Sequence, residues 1–79
     1  MTMTAQDIRN ALLRTDQEFQ QLAHEHSRCE SQLEQLLESP YHNSEDLLLE
    51  TTLKKRKLCL KDRMESLIVQ HQRELQHHH

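Results

Sequence analysis

From Ile8 onward the seam positions recur at alternating intervals of four and three: Ile8, Leu12, Thr15, Phe19, Leu22, His26, Cys29, Leu33 and Leu36. That spacing is a heptad repeat, with Leu12, Phe19, His26 and Leu33 at position a and the others at d. It predicts one helix over residues 5–38, roughly 50 Å long at 1.5 Å per residue. Thr4 followed by Asp7 is a variant capping box, which places the helix start near Ala5. The pattern stops at 39–44, where Pro40 disfavours helix at Ser39 and Asn43 or Ser44 can cap a new helix. This second helix is expected over 45–75, with Glu45 and Asp46 in its first turn. Its stripe is looser, through Leu49, Leu53, Leu60, Met64, Leu67, His71 and Leu75, with Lys57 on one seam position and a stutter near its start.

A short connection between two helices makes them antiparallel neighbours. Facing residues then have numbers adding to a constant, and a value of about 86 fills nearly every layer of an antiparallel pair. It sets Leu33 against Leu53, Cys29 against Lys57, His26 against Leu60, Leu22 against Met64, Phe19 against Leu67 and Thr15 against His71. On the flanks it sets Leu37 against Leu47, Glu30 against Lys54 and Glu25 against Arg63. The expected fold is all-α: one domain, 1–79, formed by an antiparallel two-helix hairpin with a tail at 76–79. The three histidines that end at His79 are a natural tail or the relic of an affinity tag, and either way carry no fold information.

Composition narrows this. With 79 residues, 34% of them hydrophobic, and a mean hydropathy of −0.94, the chain suits a thin helical seam better than a central core. It has no glycine, so a fold rich in tight turns is disfavoured. Its longest apolar runs, 47–49 and 67–69, are far short of the roughly 20 residues that a membrane span needs. Cys29 and Cys59, with no apolar leader before them, read as free thiols, which points to the cytoplasm. The net charge of −3 divides unevenly between the halves, 1–39 being acidic and 40–79 slightly basic, which favours their packing together.

The stretch Leu53-Lys54-Lys55-Arg56-Lys57-Leu58-Cys59-Leu60-Lys61-Asp62-Arg63-Met64 resembles the second-helix signature of the YdcH-like family, small bacterial proteins whose domain is of unknown function. Residues 19–30, with a histidine seven positions after Phe19, resemble its looser first-helix pattern. Cys59 departs from the family, which usually has a polar residue there, and the tip lacks the charged insertions of some members. The resemblance covers about residues 16–69 and implies a bacterial, cytoplasmic helical hairpin that often self-associates. It implies no activity.

Few residues invite chemistry. His24, His26 and Cys29 could suggest a metal site, but His24 points about 160° away from His26 on a helix, and zinc normally takes four ligands. His26 and Cys29 read instead as polar seam residues that set the register, so neither metal nor cofactor is expected. Lys57 opposite Cys29 could activate that thiol, although a packing role with the ammonium reaching water or Glu30 fits better. The basic run from Lys54 to Arg63 could meet phosphates, but its members encircle the helix and several face acids. Lys55 and Asp62 match the family signature without a seam task and are the candidate partner contacts. Leu58 and Ile68 join them, because with Leu13, Leu48 and Val69 they leave apolar surface outside the seam for a second copy to cover, as a four-helix bundle.

The expected function is therefore a non-enzymatic protein–protein interaction module forming a homodimer or higher homo-oligomer. The alternative is a nucleic-acid-associated factor using the basic face of the second helix. A third reading, by analogy alone, puts the acidic tip around Glu38, Glu45 and Asp46 into a channel of a large enzyme, and is weakened by Pro40 and Tyr41 at that tip.

Overall fold

The structure is a computed structural model that describes residues 3–39 and 43–77. These form three α-helices, with no strand among the described residues: α1 (Ala5–Thr15), α2 (Gln17–Glu38) and α3 (Ser44–His77). Pro40 and Tyr41, expected at the tip, and the terminal His78 and His79 lie outside the described residues.

The helix starts follow from capping chemistry. The Thr4 hydroxyl accepts from the Asp7 amide at 3.1 Å, and the Asp7 carboxylate accepts from the Thr4 amide at 3.1 Å. Asn43 and Asp46 make the same reciprocal pair at the head of α3, at 2.8 and 3.3 Å. Each box satisfies backbone donors that a helix end leaves unpaired.

The helix expected over 5–38 is interrupted at Asp16, whose backbone is extended (φ −109°, ψ 115°). Asp16 serves both sides of the break: its amide donates to the Leu12 carbonyl at 2.8 Å, and its carboxylate accepts from the Phe19 amide at 2.9 Å. Aspartate is a poor helix former and a strong N-cap, so a local cap competes with continuation of the helix. The Gln20 side chain donates to the Leu13 carbonyl at 2.9 Å, and the Arg9 guanidinium lies 5.8 Å from the centre of the Phe19 ring. In a straight helix those pairs would be roughly 10 and 15 Å apart along the axis, so α1 bends back across the first turns of α2.

The bend changes what α1 covers. Ile8 and Leu12 bury themselves against Phe19, Met64 and Ile68, with Leu22, Ala23 and Leu67 at the margin. A second cluster, Cys29, Leu33, Leu53 and Leu60, continues the core towards the other end, and Leu22 packs against both. Leu33 and Leu53 share the second cluster, and Leu67 packs at the margin of the one that holds Phe19. Thr15 is exposed and returns its hydroxyl to the Ala11 carbonyl, so the expected Thr15–His71 layer does not form. Leu49 and Leu75, expected on the seam, are exposed, as are both members of the expected Leu37–Leu47 pair.

Helices α2 and α3 run side by side in opposite directions, because Glu18 meets Arg63 near the start of α2 while Leu33 meets Leu53 near its end. The long dimension of 57 Å is close to the roughly 51 Å expected for 34 helical residues. The length of α3 therefore sets the length of the molecule.

Candidate interaction surfaces

The seam between α2 and α3 has two flanks of different character. On one, Glu18 and Glu25, a heptad apart on α2, meet Arg63 and Arg56, a heptad apart on α3, at 2.7 and 3.6 Å. This ladder replaces the expected Glu25–Arg63 pair. A side chain on a helix leans towards the N-terminus, so in an antiparallel pair flanking residues meet in a register offset from that of the core. Lys54, expected opposite Glu30, pairs instead with Glu50 on its own helix at 2.8 Å.

On the other flank the Glu30 carboxylate lies 3.4 Å from His26 Nδ1 and 3.5 Å from the Lys57 ammonium. His26 and Lys57 are half-buried, so this trio closes the edge of the seam. Cys29 is 3% exposed among leucines, while the Lys57 ammonium is turned to Glu30. Among the described residues, no group of three or more His, Cys, Asp or Glu could hold a metal ion.

Beyond the trio this flank opens into a groove of about 560 Å³, with Glu30 and Glu34 on the α2 wall, Lys54, Lys57 and Lys61 on the α3 wall, and Leu33, Leu37 and Leu58 between them. Ala23, Glu30 and Leu37 stand in one heptad line on α2, and Lys54, Lys61 and Ile68 in one on α3. At the α1 end of these lines, Ala23 and Ile68 pack against the cluster that contains Ile8 and Leu12.

That placement corrects one expected contact residue. Ile68, read from the sequence as outward-facing, is only 9% exposed and belongs to the core. It lies outside a two-helix seam, but the bend at Asp16 adds a third helix over it, and the seam alone gave no sign of that. The signal available was local: Thr15-Asp16 before Phe19 is an N-cap sequence in the middle of a heptad run. The other three candidates, Lys55, Leu58 and Asp62, are exposed on α3. Leu58 is 58% exposed, and Leu47, Leu48 and Val69 also present apolar side chains on that helix. No helix of the described residues is long and apolar enough to cross a membrane.

The fold and its surfaces define a small all-helical protein with a thin core and exposed leucines along its longest helix. Residues 19–68, more than half of the chain, match the model of the family described as "Protein of unknown function (DUF465)", and the chain belongs to that family. The resemblance of its second helix to the YdcH-like signature is consistent with that membership. No curated protein and no solved structure matches the chain.

Proposed function

We propose that this chain is a non-enzymatic, self-associating interaction module of the cytoplasm. In this reading α2 and α3 are the arms of an antiparallel hairpin, and two chains assemble into a four-helix bundle. One observation carries it: Leu37, Leu47, Leu48, Leu58 and Val69 are all at least 44% exposed, while the buried core among the described residues numbers nine side chains. Single exposed leucines are ordinary on a protein surface, but several on one thin rod leave apolar area that association would remove from water. A scaffold of this size gains stability by the same step. The nucleic-acid reading has less support, because Arg56, Lys57 and Arg63 each face a glutamate of α2.

Sedimentation equilibrium at about 100 µM tests the proposal, a range in which a small-scaffold assembly is expected to be populated. Association also predicts a melting temperature that rises with protein concentration. Salt-sensitive binding to heterogeneous DNA or RNA by a chain that stays monomeric would replace this reading with the nucleic-acid one.

A further inference from the structure

On α3, residues 48, 55, 62 and 69 are successive heptad steps and so form one line along the helix. The line reads Leu48, Lys55, Asp62, Val69, and all four side chains are exposed. Leu58, also exposed, lies beside its middle. Read in either direction the line is apolar, charged, charged, apolar, with the two charges opposite in sign.

A line of that kind is complementary to itself when reversed. In an antiparallel pair related by a twofold axis, a residue i that faces j on the partner is matched by j facing i. A centre between Leu58 and Cys59 then sets Lys55 against the partner's Asp62 and Leu48 against the partner's Val69, and both pairings occur twice. The same centre places Thr51 near the partner's Ser66. Beside the strip it brings the basic Lys54, Arg56, Lys61 and Arg63 near basic residues of the partner, and Lys54, Arg56 and Arg63 already hold Glu50, Glu25 and Glu18 of their own chain. A parallel pair would set lysine on lysine and aspartate on aspartate.

We infer that the outer face of α3 is a twofold interface whose occupant is the α3 of a second copy, running antiparallel, with reciprocal Lys55–Asp62 ion pairs about Leu58. This inference rests on the proposed self-association and specifies its face and register. It gives Lys55 and Asp62 a task that the α2–α3 seam does not, and it leaves the ion-pair flank between α2 and α3 untouched.

The test is a charge exchange in the full chain, read by sedimentation. Lys55→Glu alone sets two acids together at each of two contacts, and Asp62→Lys sets two lysines together, so each is expected to weaken the homodimer about tenfold or more. In a dimer of one copy of each variant, the acid placed at position 55 faces the lysine placed at position 62, and the unchanged Asp62 faces the unchanged Lys55, so both contacts carry opposite charges and the mixture should associate more tightly than either variant alone. Either variant associating like the original chain, or a mixture no tighter than its components, overturns the inference while leaving self-association standing. An original chain that is monomeric at about 100 µM overturns both. A second readout covers variants that fail to fold: Cys59, which is exposed and adjacent to the axis, should give a covalent dimer with a short bis-maleimide, and its substitution by serine should abolish that product. Absence of a Cys59-dependent dimer in the original chain overturns the inference.

Discussion

Asp16→Ala separates a helix broken by its own sequence from one merely interrupted. The substitution removes the acceptor of the Phe19 amide, a bond of 2.9 Å at the first turn of α2. Loss of an N-cap costs about 1 kcal/mol, with a range of about 0.5–2. Against this, alanine is the best helix former and would favour fusing α1 to α2 by about 0.5 kcal/mol. Fusion, however, would carry Ile8 and Leu12 away from Phe19, Met64 and Ile68; they are 1% and 5% exposed, and burying such side chains is worth about 1.5–3 kcal/mol each. The burial term wins, so the bend should persist and the variant should lose about 1 kcal/mol. For a domain of this size that lowers the melting temperature by about 4–8 °C. Thermal unfolding by circular dichroism at one fixed concentration measures it, and amide exchange should speed up at Phe19 while α3 remains protected. An Asp16→Ala chain that melts higher than the original would refute the reasoning, since the uninterrupted heptad helix would then be the more stable form.

The same packing has other consequences. Phe19→Ala, at a fully buried position, should cost about 3–5 kcal/mol and leave a chain largely unfolded at 37 °C by circular dichroism. Arg63→Ala should cost less than about 1 kcal/mol, because both members of its pair with Glu18 are half exposed; that small loss should shrink further in 1 M salt. In native solution dilute enough for the chain to be dissociated, a maleimide should modify Cys59 quickly and Cys29 only after denaturant is added, since in the single chain the first is exposed and the second buried. Rapid native labelling of both thiols would contradict the packing of Cys29 against Leu33 and Leu53.

Much of the fold was legible in the sequence because the helices obey local rules. Thr4 and Asn43 announce helix starts through side chains that reach only three residues on, and Leu33, Cys29, Leu53, Leu60 and Met64 fall on a period that a helix translates directly into one face. The rest depends on contacts distant in sequence. At Asp16 the capping bond is worth about 1 kcal/mol, burial of Ile8 and Leu12 beyond the bend adds about 1.5–3 kcal/mol each, and the strict heptad run hid both. Once the chain bends there, α1 lands on α3, Ile68 enters the core, and Thr15 leaves it. The flank pairs were misread for a different reason: facing residues in a seam fix the core register, but long side chains lean along their helices and meet partners some residues away. Lys55, Leu58 and Asp62 stood out in the sequence because the seam had no task for them, and their exposure on α3 leaves them available for one.

The central claim is self-association, and the mass of the intact chain in solution addresses it most directly. Sedimentation equilibrium at about 100 µM should return at least twice the chain mass of 9.5 kDa and a dissociation that follows mass action on dilution. A single species of 9.5 kDa across that range would contradict the account.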